Sequence, residues 1–148
     1  MNQDNQRQAV LFAYIAGLMD GEGTIRINRV TWSKHPNWNI RYSGAISIGM
    51  TDQKAIELFV ELFGSKMRIE RVPNRKVIYR WGTSGNIVVP KILKQFLPYL
   101  RVKKKQAELV IKYCENCMRK GFQKSDGLPK KELQWREALY NKVKNLNH

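Results

Sequence analysis

Apolar positions open the chain at helical spacing. Val10, Leu11, Tyr14, Ile15 and Leu18 recur three and four apart, which predicts a helix with a buried stripe. Asn5 precedes it as a candidate N-cap, with Gln8 three residues on, where its amide can reach back. Ala13, Gly17 and Gly21 form a second stripe, of small residues, and this spacing lets another backbone come close. The helix is therefore expected to have two buried faces, one for its own core and one for a partner helix. It ends in the glycines of "GEG", residues 21–23.

From Thr24 the period changes to two. Ile25 and Ile27 face one way, and Thr24, Arg26 and Asn28 the other. "SKHPNWN", 33–39, reads as a hairpin loop. The returning strand, about 40–50, turns Ile46, Ile48 and Met50 to the core and Arg41, Ser43, Ala45, Ser47 and Gly49 outward. Thr51 is the expected cap of a helix closed by Gly64, with Ile56, Phe59, Val60 and Phe63 on its apolar face. Two more strands, about 66–72 and 76–83, join at "VPNRK". Lys66, Arg68 and Glu70 alternate with Met67 and Ile69, and Lys76, Ile78 and Arg80 with Val77, Tyr79 and Trp81.

A short helix around 86–97, a longer one ending near Gly121, the linker "SDGLPKK" and a last helix from about Leu128 to Leu146 complete the chain. This order predicts an α+β fold with a four-stranded antiparallel sheet. The whole chain, 1–148, fits one domain, with about 122–148 as a C-terminal helical extension.

Charge sharpens this picture. Lys and Arg number 27 against 12 acids, for a net charge of +15. Nucleic acid is the first partner class this suggests, a membrane surface the second, and plain solubilising charge the third. No apolar run is long enough to cross a bilayer, and the N-terminus lacks a signal-peptide pattern, so an intracellular protein is expected. Cys114 and Cys117 form one C-x-x-C inside a helix. With only His35 and His148 available besides, they read as ordinary reduced cysteines and not as a zinc site. The outward sheet face carries Arg26, Asn28, Arg41, Ser43, Ser47, Arg68 and Arg80. Cations suit phosphates, Asn, Ser and Arg can read base edges, and a two-stranded ribbon fits the major groove.

Asp20 and Glu22 sit where a helix C-terminus already carries partial negative charge. If two such helices pack along the small stripe, their Glu22 carboxylates approach each other and call for a cation. Divalent ions on a phosphodiester would resolve the repulsion. A capping turn with two surface acids accounts for the same residues equally well. Lys103, Lys104 and Lys105 could stabilise charge developing on a phosphate, or simply form a solvated basic turn.

These residues resemble the LAGLIDADG family of homing endonucleases. "IAGLMDGEG", Ile15 to Gly23, matches the family's nine-residue motif closely. "MTDQKAIELFVELFG" follows in order, and "LPYLRVKKKQAELV" is similar to the segment bearing the family's active-site lysine. The resemblance covers about residues 10–120. It implies an αββαββα core whose saddle-shaped sheet lies on double-stranded DNA. A single motif copy implies a homodimer on near-palindromic sites, with Ala13, Gly17 and Asp20 at the interface of the motif helices.

The family pattern places the metal on Glu22, helped by the Gly21 carbonyl. Asp52 falls where a polar residue orders active-site water, with Gln53 as the neighbouring alternative, and Lys103 falls on the lysine position. The implied cofactor is Mg²⁺, with Mn²⁺ as a substitute and Ca²⁺ binding without cleavage. The implied products are short 3′ overhangs. DNA contacts are expected from Arg26, Asn28, Arg41, Ser43, Ser47, Arg68, Arg75 and Arg80, with added phosphate contacts from Lys112, Lys130 and Lys131. Glu22 stands where Asp is usual and Ile15 where Leu is usual. The alternative reading is an intron maturase, with intron RNA as partner, or a non-cleaving DNA-binding protein of the same fold. The acid at position 22 and Lys103 favour the enzyme.

Overall fold

The computed structural model describes residues 2–30, 40–120 and 129–147. The predicted hairpin loop at 33–39, both histidines, the helix end near Gly121 and the first half of the linker lie outside them. The elements run α1 (Gln3–Glu22), β1 (Gly23–Val30), β2 (Arg41–Met50), α2 (Gln53–Phe63), β3 (Arg68–Glu70), β4 (Ile78–Ser84), α3 (Val88–Phe96), a 3₁₀ turn (Leu97–Tyr99), α4 (Lys104–Lys120) and α5 (Lys130–Leu146). The fold is α+β, as expected. The sheet order is β1-β2-β4-β3, antiparallel throughout.

Register fixes which side chains share a face. Ile25 pairs with Ile46 and Ile48 with Trp81 on the core side. Thr24 pairs with Ser47, Asn28 with Ser43, Gly49 with Arg80 and Arg68 with Arg80 on the other side. The helices cover the core side. Trp81 is fully buried there between Phe59 and Phe63 of α2, with ring centroids 5.2 and 5.7 Å away. Its indole N–H donates to the Gly64 carbonyl at 2.8 Å, so the polar atom of the core's largest side chain is satisfied. Gly64 itself takes φ 79°, a positive φ that favours glycine, where α2 ends. Under α4, a Cβ on Gly44 would lie 2.6 Å from the Cys114 sulfur, so β2 needs glycine for the helix to seat.

Three local expectations are corrected. Asn2, not Asn5, caps α1, because the helix already begins at Gln3 and leaves Asn5 in its first turn. Asp52, not Thr51, caps α2, its Oδ1 accepting from the Ala55 N–H at 3.1 Å. The buried face of α1 is Phe12, Ile15, Ala16 and Met19, while Val10 is 70% and Tyr14 52% exposed. Within a single chain α1 buries this one face. Val10, Ala13, Tyr14, Gly17 and Gly21 form an exposed face, and a Cβ added at Gly17 or Gly21 meets nothing within 4 Å.

α5 is held by polar contacts as well as by Leu139 and Val143. Glu132 accepts from Arg136 at 3.1 Å and from Asn116 of α4 at 3.0 Å. Glu137 accepts from the Tyr42 hydroxyl and pairs with Arg29 at 3.2 Å. Each buried charge therefore has a partner, which is the condition for tolerating it.

Candidate active site

The two acids at the end of α1 have different surroundings. Asp20 turns back into its own chain. Its Oδ2 accepts from the Arg101 N–H at 2.9 Å, and its Oδ1 from those of Val102 at 3.1 Å and Lys103 at 2.9 Å. Three successive amides thus form a small anion-binding concavity, filled by one carboxylate. The Lys103 carbonyl accepts from Ala107, so this concavity opens the first turn of α4. An acid at the negative end of α1 is thereby placed at the positive end of α4, where it is favourable. In return the Lys103 ammonium donates to the Asp20 carbonyl at 2.6 Å. Asp20, expected from the motif at the helix-pairing contact, has its carboxylate committed within its own chain.

Glu22 stays exposed and takes part in none of the hydrogen bonds or ion pairs among the described residues. It lines a shallow recess with Gly49, Met50, Thr51 and Ile78, at the junction of α1 with the outer face of the sheet. Lys103 is fixed to Asp20, which precedes Glu22 by two residues. Asp52 and Gln53 adjoin the recess through Thr51, and each has one polar atom in use. The Asp52 carboxylate caps α2, and the Gln53 amide donates to Glu57 at 2.9 Å.

Among the described residues no group of three or more His, Cys, Asp or Glu could hold a metal. One chain brings a single exposed carboxylate plus the terminal carbonyls of α1, including that of Gly21. A hard cation held by one or two carboxylates, phosphate and water fits that donor set, and both the carboxylate and the helix C-terminus favour it. A transition metal needing nitrogen or sulfur ligands does not fit.

The outer face runs from this recess across the sheet. The Arg26 guanidinium donates to the Asn28 side-chain Oδ1 at 2.8 Å and to the Ser47 hydroxyl at 3.2 Å, so these three form one polar unit. Ser43 stands across from Asn28, and Arg41, exposed, across from Val30. Arg80 lies over Gly49, where an added Cβ would come within 2.8 Å of its guanidinium, and it pairs with Glu70 at 2.5 Å. Arg68 is its cross-strand neighbour. Arg75 lies in the exposed turn between β3 and β4. Lys112, Lys130 and Lys131 are exposed on α4 and α5. One residue that sequence reasoning passed over now matters: Glu70, which orients Arg80, while Gly49, read from the sequence as facing outward, makes room for it. The pairing of β4 with β2 and β3, set in three dimensions, brings Gly49 and Glu70 to Arg80.

Cys114 and Cys117 are buried free thiols on the core side of α4. Burial, reinforced by the neighbouring Cys117, pushes the Cys114 thiol up to about 12. It is therefore neutral and a poor metal ligand.

A family model described as LAGLIDADG endonuclease matches residues 15–120. No curated protein sequence matches significantly. Among solved structures, the homing endonuclease I-CvuI in complex with its target is 18% identical over 95% of this chain and 83% of that one, with a TM-score of 0.74. The archaeal intron-encoded homing endonuclease I-Vdi141I complexed with DNA is 16% identical over 91% of this chain and 82% of that one, with a TM-score of 0.69. I-SmaMI bound to uncleaved DNA target in the presence of calcium ions is 20% identical, with a TM-score of 0.68, and is covered over only 44% of its length by 90% of this chain. At these identities the likeness establishes the fold.

Proposed function

Since the chain belongs to the LAGLIDADG endonuclease family, we propose that it is a homodimeric, Mg²⁺-dependent endonuclease that makes site-specific double-strand breaks at a near-palindromic target. The observation that carries this reading is an exposed Glu22, two residues after the Asp20 that fixes Lys103, beside a cationic sheet face. Glu22 of each subunit, with the Gly21 carbonyl, would hold the divalent ion. When bound, such an ion polarises a phosphoryl oxygen and makes water a stronger nucleophile. Lys103 places positive charge where the scissile phosphate gains negative charge. Asp52 and Gln53 follow Thr51 at the edge of the recess, and their remaining oxygens, Asp52 Oδ2 and Gln53 Oε1, would be available to order solvent.

The open small-residue face of α1, with Ala13 and Gly17, supports pairing of two chains there, which would bring the two Glu22 side chains together. Arg26, Asn28, Arg41, Ser43, Ser47, Arg68, Arg75 and Arg80 would then meet DNA, the serines and Asn28 at base edges and the exposed arginines at bases or phosphates. Short 3′ overhangs follow from two offset sites on the duplex. No helix among the described residues is long and apolar enough to cross a membrane. The bound states of the three solved relatives, all with DNA and two with Ca²⁺ or an uncut target, support a DNA duplex and a divalent ion as partners.

The test is cleavage of a randomised palindromic DNA library in Mg²⁺, Ca²⁺ or EDTA, with wild type and Glu22→Gln in parallel. Discrete double-strand cuts that require Mg²⁺ and vanish in the variant are expected. Sequence-selective binding by wild type with no cutting in any metal would overturn the reading.

A further inference from the structure

We propose that the end of α5, beyond the residues the family model matches, is a brace for the active site, and that Asn147 and Gln106 are its positioning residues. The inference rests on the functional reading above. The Asn147 amide nitrogen donates to the Ile25 carbonyl at 3.0 Å. Ile25 lies on β1, an edge strand of the sheet, three residues after Glu22 and with its side chain fully buried. The Gln106 amide nitrogen donates to the last carbonyl of α5, that of Leu146, at 3.3 Å, and to the Asn147 side-chain oxygen at 3.5 Å. Gln106 is itself buried, in the first turn of α4, three residues after Lys103.

The result is a bridge from β1 through Asn147 to Gln106. Asp20 ties the end of α1 to the start of α4 from one side. The Asn147–Gln106 bridge ties the start of β1 to the same turn of α4 from the other. Glu22 and Lys103 emerge from the two backbone segments so joined. Neither Asn147 nor Gln106 reaches the recess, so each acts only through the segments it holds. Outer-shell hydrogen bonds that orient a site commonly change its activity or metal affinity by about 10–100-fold when lost.

Asn147→Asp keeps the shape but sets an acceptor against the Ile25 carbonyl, and Gln106→Leu keeps the bulk but removes the donor. Both are compared with wild type by DNA affinity in Ca²⁺, single-turnover cleavage in Mg²⁺, Mg²⁺ titration and amide hydrogen exchange. Each variant is expected to keep wild-type DNA affinity within about 2-fold, to cleave about 10–100-fold more slowly and to need more Mg²⁺. Exchange is expected to quicken at residues 23–27 and 101–107 while the rest of the sheet keeps its protection. Asn147→Gln, which restores the donor, is expected to recover part of the rate. Unchanged exchange at those two segments, or affinity and rate falling together with protection lost everywhere, would overturn the brace. If wild type itself does not cleave, the endonuclease reading fails, and the exchange pattern alone decides the brace.

Discussion

Asp20 and Lys103 each bond the other's backbone. The Asp20 carboxylate accepts the Lys103 N–H at 2.9 Å, and the Lys103 ammonium donates to the Asp20 carbonyl at 2.6 Å. One residue thus fixes the loop, and the other fixes the charge. Asp20→Asn leaves only one good acceptor for three amides and removes the charge. It is expected to destabilise the fold by about 1–3 kcal/mol in urea titrations, because three backbone amides lose their shared charged acceptor. Cleavage should fall further than stability does. If Asn at this position keeps both stability and rate, the concavity is not what anchors α4.

Lys103→Met keeps the stem and removes the ammonium. The expected outcome is an about 10²–10³-fold lower single-turnover rate with little change in DNA affinity, the size of effect seen when one charge-stabilising donor is lost from a site. A parallel loss of affinity would assign Lys103 to binding instead.

Glu22→Gln should behave in the opposite sense to Asp20→Asn. Glu22 is exposed at the negative end of α1, and removing its charge relieves an unfavourable interaction with the helix of about 0.3–1 kcal/mol. Thermal unfolding should show an unchanged or slightly more stable protein with no cleavage. A marked loss of stability would mean that the carboxylate has a structural partner.

Gly17→Leu probes the open face of α1. Within one chain the new side chain meets nothing, and leucine improves helix propensity by up to about 1 kcal/mol. Circular dichroism should therefore report an intact fold. Sedimentation should report monomers, and double-strand cutting should be lost. A dimer that survives this change would place the interface elsewhere.

Gly49→Ala should alter recognition without unfolding. The added methyl meets the Arg80 guanidinium at 2.8 Å, and a flexible arginine can swing away. Sequence preference is expected to relax at one base-pair position per half-site, by the about 1–3 kcal/mol that a good arginine contact supplies. Selection from a randomised target library measures it directly, and an unchanged profile would remove Arg80 from the base-reading set.

The strands were legible in the sequence because period-two alternation survives wherever one sheet face is buried and the other is polar. Ile25, Ile27, Ile46 and Ile48 lie on the core side as read, and Arg26, Arg68 and Arg80 on the other. The orientation of α1 was not legible. Apolar or small residues lie almost all round it, so periodicity could not separate Phe12 and Met19, which are buried, from Val10 and Tyr14, which are exposed. Asp20 was readable as part of a motif but not as an anchor for residues 101–103. That contact joins segments more than eighty residues apart, and no local pattern encodes it. The same holds for Asn147 and Ile25.

Those long spans bear on how the protein comes into being. Glu22 leaves the ribosome well ahead of its surroundings, since Lys103 meets Asp20 across 83 positions and Asn147 meets Ile25 across 122. At a synthesis rate of about 5–20 residues per second, the acid waits several seconds for the elements that complete its surroundings. A nascent or truncated chain would then carry the motif without the chemistry. Arrested chains ending before residue 130 should bind DNA weakly and cut nothing, so cutting would wait for α5 to be made.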